Sequence, residues 1–131
     1  MTHRVKLPLL LAAVIALCAC TSFVKASVAT LAAAQGFIAQ AQTNHKAQCT
    51  AAPTTPFPCV MINQAVDAQN VAVSALETYC QVPVAPTPEM LSSQGSTACN
   101  PNPTAKQILV AALSNLGAIV AQYKAQSGGQ P

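Results

Sequence analysis

Read from the amino terminus, the apolar positions recur with the period of an α-helix in three separate stretches. Over residues 22 to about 48, Val24, Val28, Leu31, Ile38 and Ala41 recur at helical spacing, and Ala32, Ala33 and Ala34 add helix propensity between them. His45 and Lys46 suit the negative end of that helix. Over about 60 to 81, Ile62, Val66, Gln69, Val73, Leu76 and Cys80 follow one another at alternating spacings of four and three, which places them along one seam. Ala65, Ala68, Ala72 and Ala75 line an adjacent face, small enough for a neighbouring backbone to come close. Over about 103 to 126, Leu109, Ala112, Leu116, Ile119 and Tyr123 form the third stripe. Two caps compete for its start, a Thr104–Gln107 capping box and Asn102 followed by Pro103, and Gly128 and Gly129 follow its end. Its apolar run from Ile108 to Ala121 contains Ser114, Asn115 and Gly117 and is too short to cross a bilayer, so it is expected to be buried in protein.

The intervening segments 50–58 and 82–101 are rich in Pro, Thr and Ser and cannot continue a helix, apart from one short turn around Thr87–Leu91. Nothing alternates as a strand. The pattern therefore predicts an all-α fold, a small up-down-up three-helix bundle with helices at about 22–48, 60–81 and 103–126 in a single domain of residues 20–131.

Composition makes such a bundle hard to stabilise by burial alone. Hydrophobic residues are 52% of the chain but aromatic ones only 4%, with no Trp, so the core is mainly Ala, Val and Leu. Each Ala contributes little at roughly 25 cal/mol per Å² buried, and cysteines are the available supplement. Setting aside Cys18 and Cys20, four remain: Cys49, Cys59, Cys80 and Cys99. A helix between Cys59 and Cys80 holds them about 30 Å apart at about 1.5 Å per residue, whereas bridged Cα atoms lie within about 7 Å. Pairing Cys49 with Cys80 and Cys59 with Cys99 would also run bonds along the bundle's length. The remaining connectivity, Cys49–Cys59 with Cys80–Cys99, closes both irregular loops.

The first residues carry a different message. Met1–Lys6 is positively charged and Leu7–Leu17 is an apolar run of signal-peptide length. The following Leu17-Cys18-Ala19-Cys20 resembles the lipobox of bacterial lipoproteins, although Cys18 stands where Ala or Ser is usual. The resemblance covers the first twenty residues. It implies that residues 1–19 are a signal peptide and that Cys20 becomes the first mature residue, bearing diacylglycerol and a further acyl chain such as palmitate. Thr21 in place of an Asp implies the outer membrane, periplasmic face. The alternative is an ordinary signal-peptidase site at Val24-Lys25-Ala26, releasing a soluble periplasmic or secreted protein.

The charge and motif content exclude several functions. The formal +3 falls to +1 from Cys20 onward, where Lys25, Lys46, Lys106 and Lys124 face Asp67, Glu77 and Glu89. Four scattered lysines without an arginine make no nucleic-acid surface. His45 and Cys49, at i and i+4, offer two metal ligands and no more, and no CxxC motif occurs, so neither metal nor other cofactor is expected. Ser22-Phe23-Val24-Lys25 matches the SxxK pattern of serine β-lactamases by chance, without the companion motifs. Asp67 and Glu77 lie about 15 Å apart along one helix, too far for paired acid and base work. Gln69 is expected at the solvated edge of its seam, and Tyr79 and Tyr123 with rings packed and hydroxyls in water. No catalytic residue is assigned.

The expected function is that of a structural or interaction lipoprotein, held at a membrane surface by its acyl chains and contacting another envelope component, most simply a protein. The alternative is a carrier of a small apolar ligand between helices, in a cavity lined by side chains such as Phe37, Ile62, Leu76 and Leu116.

Overall fold

The computed structural model describes residues 20–54 and 56–129. The expected signal segment 1–19, including Leu17, Cys18 and Ala19, lies outside the described residues, as do the side chains of Cys20, Thr21 and Ser22. Among the described residues the fold is all helical: α1 (Cys20–Asn44), α2 (Lys46–Ala51), α3 (Phe57–Cys80), α4 (Pro88–Gln94) and α5 (Lys106–Gln126), with 3-10 turns at Gly95–Ala98 and Pro103–Ala105. There are thus five α-helices where the periodicity predicted three. The first predicted helix divides at His45, whose φ of −109° and ψ of 14° leave the helical region, and α2 takes Thr50 and Ala51 out of the predicted loop. α3 starts three residues early. Phe57 and Pro58 occupy its first turn, where proline's missing N–H has no intrahelical partner to lose. α4 develops the expected turn into a helix, with the Thr87 hydroxyl accepting from the Met90 N–H.

The three long helices pack on one another, with α3 making the most extensive contact to both others. The start of α1 lies beside the end of α3 and the start of α5: the Phe23 ring meets Tyr79 edge-on at 5.4 Å, under the Lys106 ammonium. The end of α1 lies beside the start of α3 and the end of α5. There Tyr123 meets Phe37 edge-on at 5.4 Å and stacks on Phe57 at 5.8 Å.

The position of α3 between two neighbours widens the face that forms its core. Ala65, Ala68, Ala72 and Ala75 are all buried together with Ile62, Leu76 and Cys80 of the predicted seam, whereas Val66, Gln69 and Val73 of that seam are half-buried. A wide inward sector centred on methyl groups lets α1 and α5 both close in, which larger side chains at those positions would prevent. Gln69 shows how near α1 comes. Its Nε2 donates to the Leu31 carbonyl at 3.1 Å, so the residue joins two helices instead of lying at a solvated edge. On α5 only one stripe is covered, comprising Leu109, Ala112, Leu116 and Tyr123. Ile108 is 61% exposed and Val110 is also exposed, so the expectation of full burial for this apolar run does not hold. Over Pro103–Gln126 the chain is long and apolar enough by length and composition alone to cross a membrane, and 22% of its most apolar window is buried.

The helix ends are closed by specific groups. α3 stops at Gln81, left-handed at φ 55°, and Val82 N–H donates back to the Glu77 carbonyl. The returning chain then satisfies two further terminal carbonyls: Asn100 N–H donates to Cys80 and Asn102 N–H to Tyr79. At the approach to α5 the Asn102 carboxamide oxygen accepts from the Thr104 N–H and hydroxyl, so Asn102 is the cap and the Thr104–Gln107 box does not form.

Candidate functional site

The two disulfides join Cys49 to Cys59 and Cys80 to Cys99, one at each pole of the helical body. They close stretches of 10 and 19 residues, and restricting the unfolded chain in this way contributes about 3 kcal/mol apiece. Cys80 is fully buried in the larger of two core clusters, with Leu76, Leu109 and Leu116. The smaller cluster, Ala41, Met61, Ile62 and Tyr123, sits beneath the other bridge. Cys49 has no thiolate to offer a metal, because its sulfur is bonded to Cys59. Among the described residues no group of three or more His, Cys, Asp or Glu side chains gathers for an ion.

At the Cys49–Cys59 pole lies the most chemically varied cleft. It is an open cup of about 650 Å³. Asn44 and His45 line it from the end of α1, Phe57 from the start of α3, and Tyr123, Gln126 and Ser127 from the end of α5. Each helix contributes because the short Cys49–Cys59 connection turns the chain back and pins Phe57 beside His45 and Tyr123. Phe57 remains 36% exposed while stacked on Tyr123, and the His45 ring lies edge-on to Tyr123 at 6.5 Å. Neither acidic nor basic side chains occur in the lining apart from the imidazole.

Tyr123 departs most from expectation. It is 2% exposed, and its hydroxyl is buried without a hydrogen-bond partner because Phe57, in the unforeseen first turn of α3, lies over the ring. Burial raises the phenol's pKa above its ordinary value, since the phenolate would lose hydration that nothing replaces. Tyr79 at the opposite pole is equally buried. Among the described residues the other buried side-chain atom lacking a partner is Gln69 Oε1.

A narrower groove of about 240 Å³ runs beside Gln69, between α1, α3 and the segment 84–88. Another of about 380 Å³ lies between Lys25, Ala29 and Leu91. None of the three clefts is lined by Phe37, Ile62, Leu76 or Leu116, the side chains singled out for an apolar ligand. Asp67 and Glu77 stay far apart along α3, Asp67 exposed and Glu77 half-buried. The cup's signal in the sequence is faint. Three of the five aromatic residues, Phe37, Phe57 and Tyr123, converge at this pole, but only once the Cys49–Cys59 connection is folded back. No protein-family model, curated protein or solved structure matches this chain.

Proposed function

We propose that the chain is a lipid-anchored interaction protein of the bacterial envelope, its acyl chains on Cys20 and its body an up-down-up helical bundle. The supporting observation is that Phe23 and Val24, in the first turns of α1, pack into the fold. Val24 is buried in the larger core, and Phe23 packs against Tyr79 beneath Lys106. Cleavage after Ala26 would discard both residues and strip one pole of the body, whereas cleavage before Cys20 keeps it whole. Lipidation is therefore favoured over release as a soluble protein.

In this reading the body meets the membrane without a spacer. Its first pole carries Lys25 and Lys106, cations suited to an anionic phospholipid surface. The cup then stands about 37 Å away, the length of a 25-residue helix at about 1.5 Å per residue, turned toward other envelope components. Two or more acyl chains make such attachment stable. The role is binding, with no catalytic group, metal, cofactor or nucleic acid assigned, and the outer membrane's periplasmic face is the favoured location. The apolar-ligand carrier has less support, since Leu76 and Leu116 belong to one continuous core.

Metabolic labelling with a palmitate analogue tests the anchor. Label and membrane fractionation are expected to depend on Cys20 and to disappear in Cys20→Ala. Labelling that survives this substitution overturns the anchor.

A further inference from the structure

We infer that the cup at the Cys49–Cys59 pole binds a neutral, hydroxyl-rich ligand, a saccharide ring seated on Phe57. The inference deepens the interaction reading by naming the partner's chemistry. It begins with the platform: the Phe57 ring is held from behind by Tyr123 and remains 36% exposed. A stacked ring with an open surface suits the CH-rich face of a sugar, which is apolar and nearly flat.

The rim supplies what the sugar's edge requires. Each hydroxyl both donates and accepts, and so do carboxamide, imidazole and hydroxyl side chains. His45 and Gln126 provide those groups, with Asn44 and the Ser127 hydroxyl, which already donates to the Lys124 carbonyl, beside them. The lining holds no carboxylate, ammonium or guanidinium, so a charged ligand would find no counter-ion there. A purely apolar ligand would leave the rim's polar groups dehydrated, at a cost in affinity.

Tyr123 provides an independent indication. A phenol buried without a partner forgoes a hydrogen bond that an apolar side chain would not need. Because Tyr123 also lines the cup, an occupant reaching past the Phe57 edge gives that hydroxyl its acceptor. The grooves beside Gln69 and Lys25 lack this combination of aromatic platform and uncharged polar rim.

The test is titration of the isotope-labelled mature chain in zwitterionic micelles free of sugar headgroups. The probes are tetra-N-acetylchitotetraose, maltotetraose, indole and a short polar peptide. Saturable amide shifts at Asn44, His45, Phe57 and Gln126 are expected with at least one oligosaccharide, at a Kd of about 1 mM or tighter. Phe57→Ala and Gln126→Ala alter surface residues and should weaken binding about tenfold, whereas Asp67→Asn, exposed on α3 and outside the cup lining, leaves it unchanged. Tyr123→Phe keeps the ring and is expected to weaken binding severalfold; an unchanged affinity removes the hydroxyl from the site. Absence of shifts with both oligosaccharides, or shifts that persist in Phe57→Ala and Gln126→Ala, overturns the inference. Shifts produced only by indole or the peptide overturn the ligand class. The Cys20 label is a separate readout, so failure here leaves the anchor untouched.

Discussion

The two poles of the molecule are built from the same parts and finished differently. Each has a disulfide, a buried tyrosine near a helix end, a phenylalanine edge-on to it and a lysine over that phenylalanine, Lys106 over Phe23 and Lys124 over Phe37. At the Cys80–Cys99 pole a long return segment lies over the end of α3 and pairs its last carbonyls with Asn100 and Asn102. At the Cys49–Cys59 pole the connection is short, and it leaves an open cup above a phenol without a partner. The difference is one of chain length. Nineteen residues suffice to cap a helix end, while ten suffice only to turn the chain around. The return segment covers the helix end at one pole, and the other stays open.

The largest effect expected from this contrast concerns the cores beneath the poles. Leu76→Ala, at a site with no exposure in the larger cluster, should cost about 3–5 kcal/mol in chemical denaturation. Ile62→Ala, under the open pole where the site can collapse, should cost roughly 2–3 kcal/mol. Equal costs would mean that the smaller cluster is as closely packed as the larger.

Next come the bridges. Replacing Cys80 and Cys99 by Ala should cost about 3–4 kcal/mol, and replacing Cys49 and Cys59 about 2–3 kcal/mol, because the Cys80–Cys99 loop is longer and Cys99 is buried where Cys49 is half-buried. The reverse order in paired urea titrations would break the distinction between a closed pole and an open one.

Tyr123 gives a smaller effect of opposite sign. Tyr123→Phe removes the unpaired hydroxyl and should stabilise the free chain by up to about 1 kcal/mol, a gain not expected from Tyr79→Phe. The pH dependence follows from the raised phenol pKa. The folded state holds this proton more tightly than the unfolded chain, so its contribution is intact below about pH 10 and is lost as pH climbs through the folded value. Alkaline unfolding curves of wild type and Tyr123→Phe should therefore diverge above that point. The smallest change sharpens the sealed pole: Gln81→Gly relieves a left-handed residue and should stabilise by about 0.5 kcal/mol, net of the side-chain bond from Gln81 to the Asn100 carbonyl.

Much of this architecture is legible in the order of residues. The stripe Val24, Val28, Leu31, Ile38 and Ala41 is buried in full, and so are Leu109, Ala112, Leu116 and Tyr123. The rod from Phe57 to Cys80 keeps its two terminal thiols apart, so each bonds across its adjoining loop. Periodicity was a weaker guide on α3. A helix with neighbours on two sides has no single seam, and the alanines between them became its centre. The first turn of α3 is not legible in the residue order because prolines mark both loops and helix starts, and Phe57's place over Tyr123 depends on that turn.

What the sequence determined alone is the local physics: helical period, proline boundaries and a cysteine spacing that forbids a bond along a rigid rod. These act over a few residues or follow from the length of one element. The tertiary structure decided how wide a face of α3 became the core, how Gln69 reached the backbone of α1, and how His45, Phe57, Tyr123 and Gln126 met around one cup. Those outcomes depend on how closely three helices approach, a property of their joint packing that no single stretch of the chain contains.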